Sequence, residues 1–220
     1  MHILPIIPAR FESERFPGKL LKEYQKRTII NYPIRACLNV FGECFVVSDG
    51  PELVYAAYGL GASGVLLSGN YRNGTERIAD ACNRLNITDD TLIMHVQGDE
   101  VELDPEDLKR LAAVAEHNYV STLYYRTEDE KILKSLDHVK CWMDEKERSW
   151  RFTRAYPGYD PWAIHVGVYC YKRDALRRYM TRWPTGEENR ERLEQLRWDV
   201  PISAYEVKPC KSINVPGDLE

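Results

Sequence analysis

The chain has 220 residues, 44% hydrophobic and 29% charged, with a formal net charge of −4. That length supports a full hydrophobic core in one domain, and the acidic balance excludes a general nucleic-acid binder, which carries a basic footprint. There is no apolar run of about 18 residues to span a membrane and no signal-peptide pattern; six cysteines without a Cys-x-x-Cys pair or a His cluster read as reduced thiols of a cytoplasmic protein.

Residues 2–9 form an apolar, β-rich strand that breaks into a loop carrying Arg10, Ser13, Arg15, Gly18 and Lys19. Open α/β sheets bind ligands outside the carboxyl ends of their strands. A guanidinium fork and an ammonium point charge there suit phosphate. The chain then alternates. Residues 28–41 predict a helix, 44–47 a strand ending at Ser48-Asp49-Gly50, 51–58 a helix and 64–67 a short strand. Residues 75–85 place Ile78, Ala81, Cys82 and Leu85 at helical spacing. Residues 92–96 form a fourth strand. A helix over 105–117 has Asp104 as its cap and Pro105 at its first position. Cys37 and Cys82 lie among apolar residues of these helices. Repeated strand–helix units with short apolar strands imply a mostly parallel, Rossmann-like sheet with helices on both faces.

The second half changes character. Residues 120–125, 139–143 and 164–171 read as strands, 173–181 and 187–198 as helices, and 202–207 as a last strand. This predicts a small antiparallel lobe within a single domain: a nucleotide-binding part over about 1–118 and a lobe over about 119–220.

Four segments can carry chemistry. Asn73-Gly74-Thr75-Glu76-Arg77 opens a helix, where free amides meet a ligand; as a plain feature it is a capping segment. Val96-Gln97-Gly98-Asp99-Glu100 ends a central strand, where a carboxylate suits Mg²⁺ and Gln97 suits a base edge; the plain alternative is a polar turn. Glu188, Glu191 and Glu194 recur on one helical face, among arginines that could form ordinary i,i+4 pairs. Arg154 follows Trp150-Arg151-Phe152-Thr153, and His165 stands within a strand, where a structural role is the ordinary one.

Together these segments resemble the CMP-Kdo synthetases, the 3-deoxy-manno-octulosonate cytidylyltransferases. The resemblance runs in order over nearly the whole chain: Ile-Pro-Ala-Arg-Phe-x-Ser-x-Arg-Phe-Pro-Gly-Lys (7–19), Gly-Thr-Glu-Arg (74–77), Val-Gln-Gly-Asp-Glu (96–100), Phe-Thr-Arg-Ala (152–155), His-Val-Gly-Val-Tyr-x-Tyr (165–171) and Leu-Glu-Gln-Leu-Arg (193–197). The first motif is shared with other sugar cytidylyltransferases; the combination is more specific. The resemblance implies a nucleotide-diphospho-sugar transferase-like fold, a Mg²⁺-dependent transfer of CMP from CTP to a 2-keto-3-deoxy sugar acid, and a homodimer serving lipopolysaccharide assembly. It implies Arg10, Ser13, Lys19, Asn73 and Gln97 on CTP, with Arg10, Lys19 and Asp99 in catalysis. Arg77, Arg154, His165, Tyr169, Glu194 and Gln195 would line the sugar-acid pocket, with Arg154 on the sugar carboxylate. Asp99 would hold Mg²⁺.

The chain departs from that pattern at four positions. Asn214 stands where the family has a second metal carboxylate, Val101 where it has proline, and Tyr71 and Asn73 where it has His and Ser. An amide oxygen can ligate Mg²⁺ but brings no charge; as a plain feature, Asn214 belongs to the turn before a helix at Pro216. Two alternatives stay open: a different ulosonic acid, such as the 8-amino sugar, or a catalytically silent nucleotide-binding homologue.

Overall fold

A computed structural model describes residues 1–13, 15–156, 158 and 162–220; position 14 of the opening motif lies outside the described residues. In chain order the strands are β1 (Ile3–Ala9), β2 (Glu23–Tyr24), β3 (Arg27–Thr28), β4 (Phe45–Ser48), β5 (Ser63–Leu66), β6 (Leu92–Val96), β7 (Val120–Tyr125), β8 (Lys140–Trp142), β9 (Arg148–Ser149), β10 (Arg151–Thr153), β11 (Trp162–Lys172) and β12 (Ile202–Glu206). The helices are α1 (Asn31–Phe41), α2 (Pro51–Gly59), α3 (Gly74–Arg84), α4 (Pro105–Glu116), α5 (Glu130–Lys134), α6 (Arg173–Met180) and α7 (Gly186–Glu191).

All strands except the β2–β3 hairpin share one sheet, ordered β5-β4-β1-β6-β11-β7-β12-β9, with β8 on β11 and β10 on β8. β5, β4, β1 and β6 are parallel, as the strand–helix alternation predicts. β11 then runs antiparallel between β6 and β7. Thus the residues from 119 onward supply central strands as well as the small β8–β10 lobe.

The long β11 positions that lobe. Its carboxyl half pairs with β6 at Val168–Lys172, and its amino half pairs with β8 at Trp162–Ile164. Ile164 also pairs with Tyr125 of β7, so β8 continues the β6 side of β11 beyond the end of β6. The lobe therefore overhangs the carboxyl ends of β1 and β6.

The nearly continuous apolar strands need cover on both faces. On one face Ile7, Val46, Met94 and Val96 pack with α1, α2 and α4. On the other, Leu4, Ile6, Val47 and Ile93 pack with α3 and α6. The six cysteines are free, five of them buried. Among the described residues no helix is long and apolar enough to cross a membrane.

Two helix boundaries differ from the sequence reading. The helix predicted from 28 begins at Asn31, because Arg27 and Thr28 pair with Glu23 and Tyr24 around Gln25 and Lys26, both at positive φ. This two-residue turn matches the twist of its strands. The helix predicted over 187–198 is broken: α7 ends at Glu191, Arg192 takes a left-handed conformation (φ 54°, ψ 47°), and a 3-10 turn follows over Glu194–Arg197. The break buries Leu193, Gln195 and Arg197, which a straight amphipathic helix would spread around its circumference.

Gly64 of β5 lies under α2, where an added Cβ would stand 2.7 Å from Val54 Cγ1 and 2.8 Å from Val54 O. Gly64→Ala is expected to destabilise the chain by about 1–3 kcal/mol, read as a lowered urea midpoint. An unchanged midpoint would contradict this packing.

Candidate active site

A cleft of about 990 Å³ opens at the carboxyl ends of β1 and β6, beneath the β8–β10 lobe. It brings together the candidate site residues Arg10, Ser13, Lys19, Asn73, Arg77, Gln97, Asp99, Arg154, His165, Tyr169, Glu194, Gln195 and Asn214, whereas Glu191 of the acidic row does not line it.

The cationic loop leaves β1 and is braced from behind. Phe11 N donates to Asp49 Oδ1 at 3.0 Å, and Arg77 donates to Asp49 Oδ2 at 2.7 Å. Burial pushes the Asp49 carboxyl up, but the Phe11 amide and Arg77 outweigh it and hold the acid below its usual range. Arg77 is only 2% exposed and sits over the Tyr71 ring. It is thus a brace for the loop as well as part of the cleft wall. Arg10 donates to Tyr71 O at 2.9 Å, and its positive charge lies near enough to Glu194 to favour the ionised form of that carboxylate.

At the cleft floor, Lys19 Nζ donates to Asp99 Oδ2 at 2.5 Å, both side chains being largely buried. The chain near 211–214 runs beside Asp99: Ile213 N donates to Asp99 O at 2.9 Å, and Val101 N to Lys211 O at 3.0 Å. This brings Asn214 to the Asp99 end of the cleft. Asn214 Nδ2 donates to Ser212 Oγ at 3.0 Å, and its backbone N to Asp218 Oδ2 at 2.7 Å. The helix predicted from Pro216 is a single 3-10 turn over Pro216–Leu219. Glu100 is buried and accepts from Gly167 N at 2.8 Å. Burial, then the neighbouring Asp99 charge, pushes its carboxyl up to about 8. A Cβ at Gly167 would stand 2.7 Å from Glu100 Oε1 and 2.9 Å from Gln97 Cδ, so a larger residue there would displace the ends of those side chains.

The opposite wall is a polar network. Glu194 accepts from Thr75 N at 2.9 Å at the start of α3, and burial raises its carboxyl above the usual range. Asn73, assigned to the nucleotide from the sequence, commits its side chain within the protein. It caps Glu76 N at 2.9 Å and donates to Tyr179 Oη at 3.0 Å and Glu188 Oε1 at 3.3 Å. It shapes the wall without offering spare donors. The acidic face of 188–194 is not a solvated row. Glu188 takes a two-pronged bond from Arg197, at 2.7 Å and 2.5 Å, while Arg197 also pairs with Glu76 at 2.9 Å and lies over the Tyr179 ring. Such forked pairs are the strong class of charged hydrogen bond.

His165 bonds Thr122 Oγ1 at 2.9 Å, and burial followed by the nearby His95 lowers its pKa to about 3. It is therefore a neutral ring at ordinary pH, suited to hydrogen bonding rather than to carrying charge. Tyr169 is buried against it. Arg154 is held by Glu191 Oε2 on its backbone N (3.0 Å), Glu191 O on Nε (3.2 Å) and Leu136 O on Nη1 (3.2 Å).

The cleft residues that the sequence reading missed include His95, Asp137 and His138. His95 is buried beside Tyr169 and Tyr171, with its pKa lowered to about 3 by burial and Nε2 without a partner among the described residues. Its signal was a polar residue inside the apolar strand Leu-Ile-Met-His-Val. Asp137 pairs with Arg15 across the cleft mouth, with no sequence signal. His138 also lines the cleft. As for a metal, the described residues form no cluster of three or more His, Cys, Asp or Glu. The donor set is one carboxylate, Asp99, with an amide nearby. That fits Mg²⁺, which takes one or two carboxylates and completes its shell with water and substrate phosphates.

A family model described as cytidylyltransferase matches residues 4–208. The 8-amino-3,8-dideoxy-manno-octulosonate cytidylyltransferase of Shewanella loihica is 32% identical over 243 residues, covering 100% of this chain and 96% of that protein. The 3-deoxy-manno-octulosonate cytidylyltransferase of Yersinia enterocolitica is 30% identical over 241 residues, with the same coverage of 100% and 96%. A solved CMP:2-keto-3-deoxy-manno-octonic acid synthetase complexed with CTP superposes with a TM-score of 0.88 at 26% identity, covering 100% of this chain and 95% of that one. The inositol-1-phosphate CTP transferase from T. maritima shares the fold, with a TM-score of 0.71 at 14% identity over 100% of this chain and 92% of its own.

Arg197→Leu would leave Glu188 and Glu76 buried without their cation. It is expected to cost about 3–5 kcal/mol, measured by denaturant unfolding. A loss under about 1 kcal/mol would show that the pair behaves like a solvated one.

Proposed function

Because this chain belongs to the cytidylyltransferase family, we propose that it transfers CMP from CTP to the anomeric hydroxyl of Kdo or a closely related ulosonic acid, releasing pyrophosphate. The observation that carries the reading is the Lys19–Asp99 pair on the floor of one cleft, which Arg10 and the Glu194–Gln195 wall also line. Lys19 and Arg10 match a triphosphate, and Ser13 and Gln97 offer further polar contacts to the nucleotide. Arg154 is the cationic partner for the sugar carboxylate. Glu194, Gln195, Tyr169 and neutral His165 are hydrogen-bonding partners for a polyhydroxylated ring.

In the reaction the anomeric oxygen forms a bond to the α-phosphorus, the α–β phosphoanhydride bond breaks, and the anomeric proton is lost as pyrophosphate departs. Transfers of this kind depend mainly on positioning and charge stabilisation. Lys19 would exchange its Asp99 partner for phosphate oxygens when the nucleotide enters. Asp99, with the Asn214 amide oxygen, would hold Mg²⁺, which when bound supplies charge neutralisation at the phosphates. The likeness to Kdo cytidylyltransferases supports a cytoplasmic homodimer supplying an activated sugar for lipopolysaccharide.

The 8-amino sugar acid is the second reading, favoured by the Shewanella relative. A pyrophosphate-release assay crossing four nucleoside triphosphates with Kdo, 8-amino-Kdo and other sugar acids tests both. CTP with one ulosonic acid should release pyrophosphate. Tight CTP binding without release for any sugar would instead identify a silent homologue.

Asp99→Asn is expected to lower kcat by about 10²–10³-fold or more while leaving the fold intact, read as an unchanged far-ultraviolet circular dichroism spectrum. Kinetics like the wild type would remove Asp99 from the mechanism. Asn214→Asp adds a charge at the Asp99 end of the cleft, and should lower the Mg²⁺ concentration for half-maximal activity by roughly fivefold or more. No shift would mean that position 214 does not contribute to holding the metal.

A further inference from the structure

Lys140 is the one lysine of β8, and it is 0% exposed. Its Nζ donates to three backbone carbonyls, those of Ser135, His138 (2.8 Å) and Arg154 (2.7 Å). An ammonium has three N–H donors, so its hydrogen-bonding capacity is filled by carbonyl dipoles and no carboxylate takes part. A buried charge without a counter-ion is costly, and an apolar side chain would fill a strand position more cheaply.

What the ammonium holds together is the sugar-acid end of the cleft. Ser135 and His138 belong to the segment between α5 and β8, while Arg154 follows β10. Leu136, Asp137, His138 and Arg154 all line the cleft. Arg154 Nη1 donates back to Leu136 O at 3.2 Å. Asp137 pairs with Arg15 of the phosphate loop. One nitrogen thus ties together the two segments that set the direction of the Arg154 guanidinium.

We propose that Lys140 is a positioning residue for sugar-acid binding, its buried ammonium knotting residues 135–138 to Arg154 so that the Arg154 guanidinium is held ready for the substrate carboxylate. This rests on Arg154 being the carboxylate partner in the proposed function.

The knot is sensitive to alkali. Burial, then the positive charge of Arg154, lowers the Lys140 pKa to about 8, with Asp137 opposing. The charged and titratable groups around the knot are Arg154 after β10, Asp137 and His138 in the loop, Arg15 reaching Asp137, and Glu191 at the end of α7 bonding Arg154. Burial keeps His138 below its usual range, so it is already neutral near pH 8. Below pH 8 the ammonium serves all three carbonyls; above it the amine keeps two donors and turns a lone pair on the third. Glu100 also titrates near 8, but it lies beside Asp99, so separate KM values for sugar acid and CTP distinguish the two.

The test is steady-state kinetics of wild type, Lys140→Met and Lys140→Gln with CTP and the ulosonic acid the wild type accepts, from pH 6.5 to 9.5. The wild-type KM for sugar acid should rise about tenfold across pH 8, with the KM for CTP within twofold. Lys140→Met should show the raised sugar KM already at pH 7 and no further rise, and Lys140→Gln, with two donors, should fall between. Hydrogen exchange read without substrate should speed up at 135–138 and 154–155 in Lys140→Met while β1 and β6 stay protected. If Lys140→Met loses protection in β1 and β6 as well, the wild-type KM profile decides. A flat wild-type sugar KM from pH 7 to 9, or a sugar KM in Lys140→Met within twofold of wild type, overturns the proposal. A wild type that turns over no ulosonic acid overturns the functional reading instead, and unchanged exchange in the variant then overturns the knot itself.

Discussion

Lys19 and Asp99 come from the loops after two adjacent parallel strands, and they meet at 2.5 Å on the floor of the cleft. A largely buried pair of this kind sacrifices hydration on both sides and gives little net stability unless its geometry is held by other bonds. Here that geometry is supplied by the sheet. β1 and β6 are direct neighbours, Gly18 at φ 64° turns the cationic loop into the short turn that carries Lys19, and Gly98 lets that turn approach, since a Cβ there would stand 3.1 Å from Leu20 and Ile30. In the proposed function the same pair would oppose a phosphate-binding lysine to a metal-holding carboxylate.

The remainder of the cleft is built around that floor by two departures from a simple parallel sheet. β11 runs antiparallel into the middle of the sheet and brings His165, Gly167 and Tyr169 alongside Gln97 and Glu100. The chain after α7 turns through a left-handed residue, so that Glu194 reaches an amide of α3 while Arg197 closes on Glu188 and Glu76. The charges of this wall satisfy one another. In the proposed function the substrate-facing groups are Arg10 and Arg154, whose guanidinium donors are only partly used within the protein.

Much of this was legible in the sequence, because it is carried by local pattern. The continuous apolar strands, the Asp104–Pro105 start of α4 and the strand-end motifs at Arg10–Lys19 and Gln97–Asp99 each depend on a few neighbouring residues. What was not legible depends on pairing across the chain. The Glu188, Glu191 and Glu194 spacing matched a helix, and only Thr75 and Arg197 explain why it breaks. Asn73 looked like a ligand contact, and its three protein partners lie as far away as Glu188. Lys140 and His95 each appeared as one polar residue in a strand, and their roles come from carbonyls and rings brought in by tertiary structure.

The charge exchange at the floor is most directly tested by calorimetric binding of CTP to wild type and Asp99→Asn, with and without Mg²⁺. Removing the carboxylate releases Lys19 and takes away a negative charge facing the triphosphate. The variant should therefore bind CTP more tightly than wild type in the absence of Mg²⁺, and should lose the gain that Mg²⁺ gives the wild type. Weaker or equal metal-free binding in the variant, with the Mg²⁺ response retained, would contradict the account.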